Sequence, residues 1–211
     1  MDCRKWSNKY STDCKLKYNS LATQNNYISC VNNFLNKFSN YREPKEIPTQ
    51  EIKEYLLTFK TINTRKHNLC AIKSFYKMSV GMPSKIDKIP YPKSDKKLPQ
   101  VLSVEEVQKM FNVCENLKHK VILALLYSCG LRVSELINLR WCNIDRSRMI
   151  INIIGGKGNK DRQVMLTESL IPILEKYYRE YKTKDYILRG QFGEQYSSRS
   201  VLQVMKQLGS K

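Results

Sequence analysis

A mainly α-helical protein carrying a small β-hairpin or sheet, an α+β arrangement in two parts, is the fold class this sequence predicts. Three observations carry that expectation. Apolar residues recur at three- and four-residue intervals through most of the chain, the period of one helix face. Residues 149–154 and 163–166 instead have a β pattern, and a Gly-rich connection joins them. Residues 81–100 hold four prolines and a cluster of lysines, which interrupts every period and divides the chain.

Taken in order, residues 1–17 are polar and basic (Arg4, Lys5, Lys9, Lys15, Lys17) and are expected to form a loose arm. A small basic helical bundle is expected over 18–82. Its first helix spans about 22–38, with Tyr27, Val31, Phe34, Leu35 and Phe38 on one face. Two prolines within 40–48 make a loop. Thr49 can then cap a short helix with Ile52, Tyr55, Leu56 and Phe59 inward. A third helix is predicted over 64–80, with Leu69, Ile72, Phe75 and Tyr76 as its inner face. Residues 83–100 read as a linker, whose lysines could track a phosphate backbone or simply solvate a tether.

The second part, 101–211, opens on Ser103-Val104-Glu105-Glu106, a capping box, with Leu102 and Val107 as its hydrophobic staple. Val104, Val107, Met110, Phe111 and Cys114 line the helix that follows. Residues 121–127 are apolar on all sides, which predicts the central helix of a core. A helix over 132–140 turns Leu136 and Leu139 inward, and 141–148 leads into the β pattern. A helix from about Ser169 carries Leu170, Leu174, Tyr177, Tyr178 and Tyr181 on one face, with Pro172 tolerated in its first turn. Residues 186–188 suggest a short strand, and 197–208 a last helix with Val201, Val204, Met205 and Leu208 inward.

The net charge of +18 and the isoelectric point near 9.6 predict attraction to a polyanion, with nucleic acid as the first candidate. An AT-rich genome also yields Lys-, Asn- and Tyr-rich chains, so charge by itself favours nucleic acid modestly. Lys and Arg number 19 against 8 Asp and Glu in residues 1–100, and 18 against 11 in the remainder. The surplus is thus spread over both parts. Seven cysteines, an odd number without a CxxC pair, fit buried thiols in a reducing compartment better than disulfides or zinc. No apolar run approaches a membrane span or a signal h-region, so the expected location is cytoplasmic, with no membrane partner.

Two motifs carry the chemistry. Ser128-Cys129-Gly130-Leu131-Arg132-Val133-Ser134-Glu135-Leu136 leaves the apolar helix, turns at Gly130 and presents Arg132 at a helix start. Downstream, Gly155-Gly156-Lys157-Gly158-Asn159-Lys160-Asp161-Arg162 puts Lys157 in the connection between the two β-patterned runs. A guanidinium matches a phosphate with paired donors, so Arg132 and Lys157 are a candidate pair for gripping one phosphate. Taken singly, each has a bland reading: a surface arginine at a helix entrance, and a lysine in good turn chemistry. The connection is not a P-loop, because the GxxxxGK[ST] spacing fails. Arg65, Lys66 and His67 in the first turn of a helix could contact phosphates, although a solvated helix start explains them equally well.

In their order and spacing, "GLRVSEL" and "GGKGNKDR" resemble the first half of the catalytic domain of the tyrosine recombinases, or phage integrase family, most closely its Xer-like members. The resemblance runs over roughly 15–210 and is strongest at 123–166. It implies a helical core-binding (SAM-like) domain at 18–82 and a partial integrase-type catalytic domain at 101–211, able to close on double-stranded DNA. It also implies the reaction: a tyrosine hydroxyl attacks a phosphodiester, leaving a 3′-phosphotyrosyl link and a free 5′-hydroxyl. Two arginines neutralise the non-bridging oxygens, a hairpin lysine acts as general acid, and no cofactor or metal is required. Carried over residue by residue, Arg132 is the first arginine, Lys157 the lysine, and Glu135 the acid that braces the arginine's helix. Lys160 and Arg162 join Arg65, Lys66 and His67 as candidate DNA contacts.

The sequence departs from the family after Arg162. The family continues with H-x-x-R, a later His or Trp, and the nucleophilic tyrosine. Here both histidines (His67, His119) and both tryptophans (Trp6, Trp141) come earlier. Tyr186 and Tyr196 lie where the family has a strand and a loop, and Arg189 and Arg199 match no motif. A truncated, catalytically incomplete recombinase is therefore expected. Full-length members assemble as tetramers through an exchanged C-terminal segment, and its absence puts tetramer assembly by this chain in question. The alternative is a non-catalytic DNA-binding regulator or antagonist of recombination. An RNA-binding helical protein is disfavoured by the lack of stacking strands or a GxxG clamp.

Overall fold

The computed structural model describes residues 1–93, 98, 100–155, 161–190 and 195–210. The chain divides into two compact units, Met1–Leu98 and Pro99–Lys211. Both are mainly helical, and the second carries a small antiparallel sheet.

The loose arm expected over residues 1–17 is instead a helix, α1 (Cys3–Lys17), capped by the Asp2 carboxylate, which accepts from the Lys5 N–H at 2.9 Å. Trp6, Tyr10 and Cys14 recur every four residues, and Tyr10 and Cys14 are fully buried. The Tyr10 ring meets Phe75 edge-on at 5.4 Å, and its hydroxyl donates to the Ala71 carbonyl at 3.3 Å. The aromatic stripe overrides the basic composition, because the lysines extend away while the rings fill the core.

Helix α2 (Leu21–Lys37), capped by Ser20, packs on α1 and on α4 (Ile62–Phe75), which is capped by Thr61. Helix α4 continues as a π-helical turn, Tyr76–Val80, and stops at Gly81, whose φ of 77° is left-handed. Between them lies α3 (Thr49–Leu57), where Pro48 rather than Thr49 takes the cap position. Phe34 sits at the centre of this unit, 5.0 Å from Phe38, 5.7 Å from Tyr55 and 6.2 Å from Tyr76. The expected linker begins later than its prolines suggest. Residues 84–87 form the short helix α5 (Ser84–Asp87), and Ile86 and Ile89 are buried in the first core. Lys73 fixes this segment by donating to the carbonyls of Asp87 at 3.1 Å and Ile89 at 2.8 Å.

The second unit opens on α6 (Val104–Val113). The capping box forms: the Ser103 N–H donates to the Glu106 carboxylate at 2.7 Å, and the Glu106 N–H to the Ser103 hydroxyl at 3.2 Å. Leu102 and Val104, expected against the helix, are more than half exposed. Helix α7 (Leu117–Cys129) buries Val121, Ile122, Leu123, Ala124 and Leu125 and is the axis of the core. It packs on α9 (Leu170–Tyr181), which keeps Pro172 in its first turn. In α9, Tyr177 is buried and stacks on Tyr181 at 4.6 Å, whereas Tyr178 faces outward.

Helix α8 (Val133–Asn138) follows α7 and leads to the sheet, whose order is β1 (Ile144–Asp145), β2 (Ile150–Ile153), β3 (Arg162–Met165). Ile151 pairs with Ile144 on one side and Val164 on the other, and Ile153 pairs with Arg162. Strand β1 is too short to show a period in sequence. The strand expected at 186–188 is reduced to a single bridge between Arg140 and Tyr186, with the Ile187 N–H donating to Leu139 at 2.9 Å. Lys118 of α7 donates to the Arg189 carbonyl at 3.0 Å beneath the rings of Tyr181 and Tyr196, fastening this connection. Helix α10 (Ser198–Gly209), capped by Ser197, closes the core with Val201, Val204 and Leu208.

None of the seven cysteines is in a disulfide; Cys14, Cys114 and Cys129 are buried, while Cys30 and Cys70 are half-buried. Among the described residues, no helix is long and apolar enough to cross a membrane. The helical status of α1 is testable by comparing two substitutions on it. Tyr10→Ala should cost about 3 kcal/mol or more, as for other large buried side chains. Leu16→Ala, at an 84% exposed position of the same helix, should stay within about 0.5 kcal/mol. Urea unfolding followed by circular dichroism measures both, and equal effects would return residues 1–17 to a loose arm.

Candidate functional site

Helix α7 ends at Cys129, which is buried. Gly130 reverses the chain in the left-handed region, at φ 55° and ψ 37°. No atom of the described residues lies within 4 Å of where its Cβ would be, and glycine suits the position for its backbone angles. Leu131 turns inward and is buried. Arg132 therefore arrives, extended, as the N-cap of α8, with Glu135 in the first turn.

Glu135 is the organising group. Its Oε2 accepts from the Arg132 backbone N–H at 2.8 Å, half of a capping box. Its Oε1 accepts from Arg132 Nη1 at 2.7 Å. Its Oε2 also accepts from Arg162 Nη2 at 2.8 Å. Arg162 Nη2 donates in addition to the Gly130 carbonyl at 3.2 Å. The Glu135 side chain is 3% exposed, against 52% for Arg132 and 34% for Arg162. Burial by itself raises the Glu135 carboxyl, but the hydrogen bonds from Arg132 and the charges of Arg162 and Arg132 outweigh it. The carboxyl is left below its ordinary value and ionised.

Arg162 is the first residue of β3, so its bonds dock the start of that strand onto the α7–α8 turn. The Cys129 thiol adds a contact farther along, to the Met165 carbonyl at 3.7 Å. At the base of the hairpin, the Gly155 N–H donates to the Asp161 carboxylate at 2.9 Å. Lys157 and Lys160 lie outside the described residues. In sequence they fall between this base and Arg162, in the connection whose far end is tied to Glu135.

The remaining nominated residues belong to the other unit, in α4: Arg65 closes its first turn, and Lys66 and His67 lie in the second. Arg65 Nη2 donates to the Phe59 carbonyl at 3.0 Å, satisfying the chain just past α3. Lys66 and His67 are exposed, and the His67 ring meets Tyr27 edge-on at 5.4 Å. Of the tyrosines after Arg162, Tyr186 accepts from Arg140 Nη2 at 3.1 Å and Tyr196 lies over Lys118. A groove of about 430 Å³ is lined by Trp141, Ile144, Leu166, Ile171, Leu174 and Tyr178 together with the charged Arg146, Glu175 and Arg179, and none of the nominated residues that are described lines it.

The family resemblance implies that Glu135 braces the helix of Arg132, and the fold bonds it to Arg132 directly. Arg162 is expected from the resemblance as a DNA contact. The fold turns that guanidinium onto Glu135, a partner 27 positions away, and no local period reveals such a pair. Chemically, the arrangement is a half-exposed guanidinium held on one side by a buried carboxylate. Its solvent-facing edge is open to an anion of phosphate geometry.

Residues 100–211 match the family model described as the phage integrase family, and residues 6–86 match that of the phage integrase N-terminal SAM-like domain. The chain is 32% identical over 190 residues to a putative integrase/recombinase of Sinorhizobium fredii, covering 86% of this chain and 60% of that protein. It is 36% identical over 145 residues to the tyrosine recombinase XerA of Pyrococcus horikoshii, covering 67% and 50%. It spans about half the length of the curated relatives it matches. Among solved structures, a lambda integrase tetramer bound to a Holliday junction shares the fold. Its TM-score is 0.78 at 16% identity, over 98% of this chain and 62% of that one. A lambda integrase dimer bound to a core site gives a TM-score of 0.77 at 16% identity, over 98% and 80%. The chain belongs to the phage integrase family, the site-specific tyrosine recombinases.

Proposed function

We propose that these 211 residues are the DNA-engaging part of a site-specific tyrosine recombinase, in which Arg132 and Lys157 grip one phosphodiester of duplex DNA. The observation that carries the reading is the Glu135 cluster. It holds Arg132 half-exposed and anchors the end of the lysine-bearing hairpin to the same turn. Family membership supports it, as do fold neighbours described as bound to DNA. The spread of positive charge over both units fits a partner touched by each. In this reading the first unit acts as the core-binding domain, with Lys66 and His67 as phosphate contacts, and the second as the first part of the catalytic domain.

Arg132 neutralises the non-bridging oxygens of the bound phosphate, and Lys157 donates the proton that the leaving 5′ oxygen needs. Within these residues no histidine or tryptophan follows Arg162, and no H-x-x-R occurs. The chain by itself thus binds and polarises a phosphodiester without completing a phosphotyrosyl link. The same behaviour suits a non-catalytic occupant of recombination sites.

Three measurements test this. First, Arg132→Ala should weaken binding to duplex DNA about 10- to 100-fold, the worth of a hydrogen bond to a charged group, and lower the salt slope by about one. An unchanged slope would sink the phosphate role. Second, incubation with a nicked duplex carrying a recombination site should trap no covalent protein–DNA adduct; an adduct that survives denaturing electrophoresis would overturn the incomplete-site reading.

The third concerns Glu135. Its folded value lies below the unfolded value of about 4.3, so ionised Glu135 contributes stability above that pH. The contribution is lost as pH falls through the folded value. Glu135→Gln should therefore be less stable than wild type at neutral pH, yet lose less stability than wild type between about pH 6 and pH 3. Parallel losses in thermal melts would show that Glu135 is not the anchor.

A further inference from the structure

Arg162 has a task that a single arginine–phosphate contact does not define. Glu135 is almost wholly buried and ionised, and its nearest guanidinium is the one presented to solvent. Had Glu135 faced Arg132 alone, the two would form a neutral pair. An incoming phosphate would then meet an arginine already committed to a carboxylate, in a half-buried setting where such attraction is far stronger than in water. Arg162 supplies the second positive charge. Its Nη2 donates to Oε2 of Glu135 at 2.8 Å while Arg132 Nη1 donates to Oε1 at 2.7 Å, so each guanidinium has its own carboxylate oxygen, with Oε2 also accepting the Arg132 backbone N–H. The three side chains sum to one positive charge. Arg162 is the more covered of the two arginines, at 34% against 52%, and it is fixed further by the Gly130 carbonyl. The surplus therefore appears at Arg132.

We propose that Arg162 is a positioning residue that neutralises Glu135, so that the charge of Arg132 is left for the phosphate of bound DNA. The inference rests on the reading that Arg132 binds a phosphate, and it adds what keeps that arginine available. It also distinguishes the arginine of the hairpin's far end from its lysines: the lysines act on the ligand, and Arg162 acts on the anchor.

Charge balance and simple pinning of β3 make opposite statements about a double variant, and this separates them. The full 211-residue chain is titrated with a mixed-sequence duplex at several salt concentrations, by fluorescence anisotropy, with thermal melts alongside. Arg162→Gln leaves a neutral Glu135–Arg132 pair. It should weaken binding about 10- to 100-fold and lower the salt slope by about one, as Arg132→Ala does. Adding Glu135→Gln to Arg162→Gln removes the carboxylate charge, keeps an acceptor for the Arg132 N–H, and restores one positive charge. Binding and slope should then return to within about threefold of wild type. Arg162→Lys, which keeps the charge and loses the fork, should bind nearly as wild type.

The proposal is overturned if Arg132→Ala weakens binding while Arg162→Gln does not, or if the folded double variant binds no better than Arg162→Gln. Should Arg162→Gln alone fail to fold, the double variant and Arg162→Lys decide: both folded and binding as wild type support the proposal, and a double variant as weak as Arg132→Ala removes it. If Arg132→Ala itself changes nothing, the phosphate reading fails, and this inference with it.

Discussion

One buried carboxylate holds the candidate site together. Glu135 receives the Arg132 N–H and the guanidinium groups of Arg132 and Arg162, and through them it joins the end of α7, the start of α8 and the start of β3. A carboxylate taken out of water is costly, and charge-assisted bonds to both of its oxygens offset that cost. The balance is asymmetric. With its partners present Glu135 contributes rigidity; with both guanidinium groups removed, an uncompensated charge would remain inside. The anchor is therefore strong for the same reason that it is fragile.

The surrounding fold reads as support for that carboxylate. Helix α7 is apolar and buried from Val121 through Leu125, and Cys129 at its end is buried as well, so that end is fixed in the core. Gly130 converts that fixed end into a fixed exit direction, since left-handed angles are within easy reach of glycine and cost other residues strain. Leu131 is held inside, and the next residue outward is Arg132. On the other side, the pairing of Ile151 with Val164 and of Ile153 with Arg162 fixes which way Arg162 points, because a one-residue slip would turn it to the opposite face. Core packing and sheet register thus converge on one point from two directions.

Much of this was legible in the sequence, and the exceptions have identifiable causes. The helical period, the capping box at Ser103, the all-apolar helix and the hairpin could be read because each is a local pattern. Helix α1 is hard to see in sequence because a basic composition masks the stripe of Trp6, Tyr10 and Cys14, spaced by four. Prolines at 83 and 90 suggest a linker, whereas Ile86 and Ile89 beside them are buried in the first core. Strand β1, with two residues, has no period to detect. The pairing of Arg162 with Glu135 depends on sheet register and on the placement of a turn, both tertiary facts. The arginine was visible, and its partner was not.

The same distinction separates charge from contact across the molecule. A surplus of +18 draws a polyanion from a distance whatever the individual lysines do nearby. Several of those cations are already engaged locally: Lys9 with the Ser79 carbonyl, Lys73 with two carbonyls, Arg65 with Phe59, Lys118 with Arg189. They keep their charge and add to the field, but their geometry is spent on the fold. Register on a phosphate backbone needs a donor whose position is fixed and whose remaining N–H groups face outward. Arg132 meets both conditions because another arginine shares its carboxylate. A protein this basic does not lack positive charge; what the Glu135 cluster provides is one positive charge in a defined place.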